Sequence, residues 1–128
     1  MRIKKNLDLG LLLIRLALAA VFIYAGAMKF SDIPATATFF AQVGLSETMV
    51  YIVSAMELLG GLGMLFGAFV EVSGTLIVLV MLGVFYFAVF PNYKDFGTSA
   101  SYQVTLLLAA LGIIFTGAGK YIAFKKLK

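Results

Sequence analysis

The chain has 128 residues, of which 62% are hydrophobic and 12% are charged, and its formal net charge is +4. Soluble domains average about 45–50% apolar and about 25% charged residues, so this composition excludes an ordinary soluble domain and indicates an integral membrane protein. The sequence contains no Cys and no His, which excludes disulfides, thiol redox pairs, His ligation of haem or zinc, and Ser–His or Cys–His nucleophilic chemistry.

Four apolar runs, at about 7–30, 48–69, 73–90 and 102–124, predict transmembrane helices. At ~1.5 Å per residue, each helix spans or nearly spans a hydrocarbon core of about 30 Å. We therefore predict an all-α fold, an integral membrane four-helix bundle that forms a single domain over residues 1–128. The first run follows basic residues, as a signal peptide does, but its length and the charge at Arg15 favour a retained helix.

The first run carries a polar stripe, because Asp8, Arg15, Gly26 and Lys29 share one face at ~100° per residue. A guanidinium in lipid costs about 2.5–3.5 kcal/mol on insertion scales, so Arg15 requires a partner or a water-filled cavity. Glu57 is the other charge deep inside an apolar run, and its predicted depth differs from that of Arg15 by roughly one helical turn. We therefore predict an ion pair between Arg15 and Glu57 that joins the first two transmembrane helices.

Glycines are dense in the second run, where Gly60 and Gly61 follow Glu57, and Gly63 and Gly67 have GxxxG spacing. Small residues of this kind let two helices approach closely, and we interpret these glycines as packing positions. The alternative is that Gly60 and Gly61 leave room for a flat ligand beside Glu57.

The connections between the runs differ in length. In the longest, at 31–47, Asp32 predicts the start of a short helix and Gly44 its end. That helix is either a lid in the outer membrane interface or a linker that touches headgroups. The short connection at 70–72 predicts a tight hairpin on the cytoplasmic side. Gln103 lies just inside the outer boundary of the last run.

Basic residues cluster near both ends of the chain, whereas Lys29 and Lys94 lie on the opposite side of the predicted bundle. The positive-inside rule therefore predicts cytoplasmic N- and C-termini, for a multi-pass protein of the cytoplasmic (inner) membrane. Because topology explains the positive charge, no nucleic-acid partner is expected.

Several segments, in the same order along the chain, resemble the DoxX family of small four-helix membrane proteins. The similar segments are RLAL at 15–18, GAMKF at 26–30, FF at 39–40 with GL at 44–45, ELLGG at 57–61 and GAGKY at 117–121. The chain departs from the family pattern at Gln103, where many members carry Glu, and this difference removes a proton acceptor.

The resemblance implies a role in membrane redox assemblies. The chain is similar to subunits of a thiosulfate:quinone oxidoreductase, other members belong to oxidative-stress complexes, and distant relatives act in receptor assembly. We therefore predict a subunit of a redox-linked assembly, at most a non-cofactor-bearing subunit of a quinone-linked oxidoreductase, that binds a quinone or prenyl lipid. The expected site residues are Arg15, Lys29, Glu57, Gly26, Gly60, Gly61 and Gln103, and no metal site is expected.

In this hypothesis Arg15 and Lys29 donate to a quinone carbonyl, while Glu57 holds Arg15 in place or moves a proton. Three alternatives stay open: a plain Arg15–Glu57 ion pair that only fixes helix register, a non-catalytic membrane scaffold or assembly factor, and a small transporter. The expected partners are the lipid bilayer and either other membrane or redox subunits or further copies of the chain.

Overall fold

A computed structural model describes residues 5–89 and 96–123, with the side chains of 88–89 and 96–99 left aside. Every element in these ranges is helical, and no β-strand occurs among them, so the predicted all-α class is confirmed. The elements are α1 (Leu7–Ser31), α2 (Ile33–Gln42), α3 (Glu47–Phe66), α4 (Val70–Val84), which continues into a π-helical turn (Phe85–Val89), and α5 (Phe96–Thr116). The basic residues at 2, 4, 125, 126 and 128, together with Lys94, lie outside the described residues.

Within residues 5–89 and 96–123, three helices are long and apolar enough to cross a membrane: α1, α3, and the segment Val70–Phe87 that joins α4 to the start of its π-helical turn. The last helix, α5, has 21 residues, and its portion Ala100–Thr116 is apolar but shorter than the other three. Among the described residues, the predicted spans therefore appear as three long apolar helices and one shorter one.

The hairpin between α3 and α4 comes three residues earlier than predicted. Gly67 has a φ of +72°, a left-handed conformation that ends α3 after Phe66. The Ala68 N–H then donates to the Gly63 carbonyl at 3.0 Å, as in a Schellman motif. The turn therefore lies at 67–69 rather than 70–72, and Gly67 is a helix terminator rather than the second half of a GxxxG packing pair.

The final helix also ends early, at Thr116 instead of residue 124. Gly117 and Gly119, with φ values of +83° and +80°, prevent the helix from continuing. The chain then folds back over the end of α3, where the Ala123 N–H donates to the Phe66 carbonyl at 2.9 Å. We call residues 117–123 the C-terminal strap.

The short helix predicted in the longest connection is confirmed as α2. Asp32 caps it by accepting a hydrogen bond from the Ala35 N–H at 3.1 Å, and Pro34 lies in its first turn. The chain leaves α2 through Gly44, whose φ is +89°. α2 packs mainly on α3.

The helices pack in a chain of neighbours, α1 on α3, α3 on α4, and α4 on α5. The interior contains fully buried apolar side chains from each of these helices, namely Leu18, Phe22, Met64, Ile77 and Ile113. Large apolar side chains also cover the outside, of which Phe115 is 85% exposed. An exterior of this kind suits contact with lipid, where helix association depends on close packing rather than on exclusion of water.

Candidate functional site

Two charged side chains are almost completely buried between the helices, Arg15 at 1% exposed and Glu57 at 3% exposed. The predicted burial of both charges is therefore correct. The predicted ion pair between them is wrong, because each has a different partner.

Arg15 donates to main-chain carbonyl oxygens from two other parts of the chain. Nε donates to Met64 (2.9 Å) and Nη2 to Leu65 (3.4 Å), both in the last turn of α3. Nη1 donates to Ala118 (3.0 Å) and Tyr121 (2.7 Å) in the C-terminal strap. Arg15 therefore acts as a clamp that ties α1 to the end of α3 and to the strap.

This partner choice follows from helix-terminus chemistry. The last four carbonyl groups of a helix have no intrahelical partner and carry the negative end of the helix dipole, so they attract a cation. Because Gly67 ends α3 early, these carbonyls lie at the level of Arg15. The planar guanidinium has five N–H donors, which suits several separate acceptors at once.

The helix register also explains why Glu57 is out of reach of Arg15. A Cβ placed on Gly26 would lie 2.9 Å from the Ser54 carbonyl oxygen and 3.1 Å from the Leu58 nitrogen, so Gly26 lies level with Glu57. From residue 15 to residue 26, at ~1.5 Å per residue, the distance along α1 is roughly 16 Å. The predicted depths differed by only one turn because both helices were assumed to reach the same two membrane boundaries, whereas the last turn of α3 lies level with Arg15, inside α1.

Glu57 instead pairs with Lys29, which lies in the last turn of α1. Lys29 Nζ is 2.8 Å from Glu57 Oε1, and the two side chains are 27% and 4% exposed. At this distance the Lys29 ammonium is within hydrogen-bonding reach of Oε1, and among the described residues no other donor reaches that oxygen. The pair therefore provides charge compensation while leaving capacity for a further donor at Oε1.

The glycines around this pair are packing positions. A Cβ on Gly61 would lie 2.9 Å from the Ile23 nitrogen of α1, and one on Gly60 would lie 2.9 Å from Ile77 Cγ1 of α4. Gly26, Gly60 and Gly61 thus let neighbouring helices approach closely, as the packing interpretation predicted. The alternative, room for a flat ring at Gly60 and Gly61, is wrong because the adjacent helices fill that space.

Gln103 is half-buried on α5. Within the described part of the chain, no hydrogen bond or ion pair that the structure shows links it to Arg15, Lys29 or Glu57. The predicted cluster therefore separates into two sites. One is the Arg15 clamp, and the other is the Lys29–Glu57 pair with Gly26 and Gly61 behind it.

Two features near these buried charges were not predicted from the sequence. Ser54 is fully buried three residues before Glu57 and donates to the Val50 carbonyl of its own helix. A hydroxyl at that spacing inside an apolar run was the available signal. The acceptors of the Arg15 clamp are main-chain carbonyls, which residue types do not reveal, although Gly67 and Gly117 marked the helix ends that expose them.

Comparison with known proteins agrees with this architecture. The DoxX family model matches residues 10–89. A Bacillus subtilis (strain 168) protein named "Putative oxidoreductase CatD" is 30% identical over 114 residues, which cover 89% of this chain and 84% of that protein. No solved structure matches the chain significantly. Together with its three long apolar helices, the family match shows that the chain is a multi-pass membrane protein of the DoxX family.

Proposed function

We propose that this protein is a membrane subunit of a redox-linked assembly and that it binds a quinone or a similar prenylated ligand at the Lys29–Glu57 pair. The observation that carries the proposal is a buried ion pair between two membrane-spanning helices, in which Lys29 is the one donor near Glu57 Oε1 in the described part of the protein. Ionisable groups at membrane depth are costly to keep and are functional candidates by default.

The two side chains form a ligand-facing donor with a proton acceptor behind it. The Lys29 ammonium has three N–H donors, and its side chain is 27% exposed, so a ligand carbonyl oxygen is able to accept from it. The Glu57 carboxylate is buried behind Lys29 at 2.8 Å and exchanges a proton with the ligand through this ammonium. Quinone chemistry interconverts carbonyl and hydroxyl forms, which is why this ligand class fits the pair.

Arg15 has a different part in this proposal from the one that the sequence suggested. Its guanidinium already donates to four carbonyl oxygens, so it stabilises the bundle rather than the ligand. The proposed ligand site therefore moves from the Arg15 side of Glu57 to the Lys29 side.

The redox assignment draws on two further observations. A relative that is 30% identical carries the name "Putative oxidoreductase CatD". The sequence has no Cys and no His, so the electron carrier is either a bound organic molecule or a group held by a partner subunit. We therefore assign the chain no more than a non-cofactor-bearing role in an oxidoreductase.

A non-catalytic scaffold or assembly factor is the second candidate. Lys29 and Glu57 compensate each other without a ligand, and the Arg15 clamp serves only the main chain. Both observations favour a rigid bundle whose lipid-facing surface meets another membrane protein or another copy of itself.

The proposal includes a topology, with the whole chain forming one domain in the cytoplasmic (inner) membrane and both termini in the cytoplasm. The Lys120 N–H donates to Asp8 Oδ1 at 3.0 Å, so the start of α1 and the C-terminal strap lie at the same end of the bundle. Four membrane spans, an even number, return the chain to the side of the membrane on which it started.

Mass spectrometry of lipids that co-purify with the protein in mild detergent tests the function. A ligand at the pair predicts a stoichiometric quinone or prenyl lipid in the wild type and its loss in folded Glu57→Gln and in the double variant Lys29→Met/Glu57→Leu. Lys120→Met, which removes an exposed lysine outside the pair, is the matched control and should retain the ligand. Equal retention in all four proteins would contradict the ligand site, and absence of ligand from all would favour the scaffold.

A further inference from the structure

A second feature of the fold is an apolar cavity of about 240 Å³ between α2, α3 and α4. Its lining contains no charged, hydroxyl or amide side chain and comes from the C-terminal half of α2, the first half of α3 and the end of α4. Phe40 lines it from α2 and is only 6% exposed, and Met56 lines it from α3. Neither Lys29 nor Glu57 lines this cavity.

The cavity opens sideways, toward the lipid. Two of its lining side chains, Phe39 on α2 and Leu79 on α4, are 53% and 52% exposed and therefore mark its mouth. Leu79 lies within the membrane-spanning segment Val70–Phe87. The mouth thus faces hydrocarbon rather than water.

Gly83 shows that the space is built into α4. A Cβ placed on this residue would have no atom within 4 Å, so the glycine is not there to permit close helix contact. Glycine inside a helix costs about 0.5–1 kcal/mol relative to alanine. Because Gly83 lines the cavity and has no side chain, it leaves a hollow in the surface of α4.

The helix changes form beside this hollow. Residues Phe85–Val89 form a π-helical turn, and Phe87 from that turn lines the cavity. Single π-helical turns inside α-helices are uncommon and occur frequently at functional sites. The two methionines of the lining, Met49 and Met56, are flexible and adapt to an irregular guest.

We propose that this cavity is a binding site for one acyl chain of a bilayer phospholipid. An apolar cavity of about 150 Å³ takes up small apolar guests, and this one opens to hydrocarbon rather than to water, so it fills from the lipid. A hydrocarbon chain that enters makes the dispersion contacts that an empty cavity lacks. The mouth faces lipid, where phospholipid chains far outnumber other apolar molecules, and mass action favours them.

The site selects for a chain and not for a headgroup, because its lining offers no charged or hydrogen-bonding side chain. It is separate from the Lys29–Glu57 pair, and this inference does not rest on the proposed quinone function. α2, capped at Asp32, covers one side of the site, so the bound chain is held between α2 and the bundle.

Gly83→Leu tests the site by filling it from within, and Gly112→Leu is the matched control. Gly112 also lies in a membrane helix with no atom within 4 Å of an added Cβ, but it does not line the cavity. Each protein is reconstituted with phosphatidylcholine that carries a nitroxide near the end of one acyl chain. Electron paramagnetic resonance then counts the motionally restricted chains per protein.

We expect Gly83→Leu to lose one restricted chain per protein, while wild type and Gly112→Leu keep the same number. Equal numbers in all three proteins would overturn the proposal.

Addition of a long-chain prenylquinone to the wild-type protein is a second experiment. If it releases the restricted acyl chain from the wild type at low molar ratio, the site belongs to an isoprenoid tail and the acyl assignment is wrong. If it releases none, the assignment stands. Thermal unfolding of the three proteins checks that each is folded before the count.

Discussion

Lys29 and Glu57 face each other across the α1–α3 contact with 2.8 Å between ammonium and carboxylate, and the close approach of the two helices at Gly26 and Gly61 makes this pairing possible. The pair is asymmetric, because Glu57 is nearly inaccessible whereas about a quarter of the Lys29 side chain remains exposed (27%). Its two members should therefore respond differently to substitution.

Lys29→Met should lower the free energy of unfolding by about 3 kcal/mol, because it leaves the Glu57 carboxylate buried without a counter-charge. The double variant Lys29→Met/Glu57→Leu removes both charges and should unfold within about 1 kcal/mol of the wild type. Thermal unfolding in detergent measures both. A double variant as unstable as Lys29→Met would mean that the pair itself, and not the unpaired charge, determines stability.

Arg15→Lys should destabilise the protein by about 2 kcal/mol or more, because one ammonium cannot reproduce the four carbonyl contacts of the guanidinium fork. The C-terminal strap should also become accessible to protease, since two of the four acceptors are Ala118 and Tyr121. Limited proteolysis monitored by mass spectrometry measures how readily the strap is cleaved. The wild type is the control, and equal cleavage of wild type and Arg15→Lys would contradict the clamp.

Gly67→Ala should be destabilising by about 1–2 kcal/mol from its left-handed backbone alone. The added Cβ would also lie 2.6 Å from Ile122 Cγ2 and 2.8 Å from Arg15 Nη2, so the strap must shift. Gly112→Ala, within α5 and without neighbours, should instead stabilise by about 0.5–1 kcal/mol. Opposite shifts of the unfolding midpoint are expected, and shifts of the same sign would show that Gly67 does not act through its backbone conformation.

Gly61→Ala should push α1 and α3 apart, because the new Cβ would lie 2.8 Å from Ile23 Cγ1 and 2.9 Å from the Ile23 nitrogen. Main chain cannot give way as a side chain does, so we expect a loss of about 2 kcal/mol through overpacking. Gly10→Ala, also in a membrane helix but with no atom within 4 Å of its added Cβ, should leave the unfolding midpoint unchanged or raised. If both substitutions behave alike in thermal unfolding, the α1–α3 contact is looser than its geometry indicates.

The parts of the fold that depend on local sequence could be predicted, whereas the parts that depend on register could not. Long apolar runs indicate membrane helices regardless of their neighbours, and Asp32 caps α2 through its own side chain. The partner of Glu57 depends instead on where α3 ends. The last turn of α3, which ends at the left-handed Gly67, lies level with Arg15, so the guanidinium meets main-chain carbonyl groups and not Glu57.

The site residues show the same division. Burial of Arg15 and Glu57 follows from their position inside apolar runs, and Lys29 lies on the predicted polar face of α1. The choice between Arg15 and Lys29 was not accessible, because residue type distinguishes cations from anions but not one cation from another on the same helix face. Gln103 was predicted as a site residue from its place in the last apolar run. A position along the chain does not show how far a side chain lies from residues on other helices.

The order in which the chain is synthesised determines when Arg15 meets its acceptors. Its donor lies in α1, whereas two of its acceptors lie 103 and 106 residues further along the chain and are made later. Until the strap is made and docked, the guanidinium has only the end of α3 to contact, and a charge in lipid with incomplete partners is unfavourable. In a chain interrupted before the strap, Arg15 Nη1 therefore lacks the two carbonyl acceptors at Ala118 and Tyr121. Arg15 therefore gains its full set of acceptors only after the strap has docked.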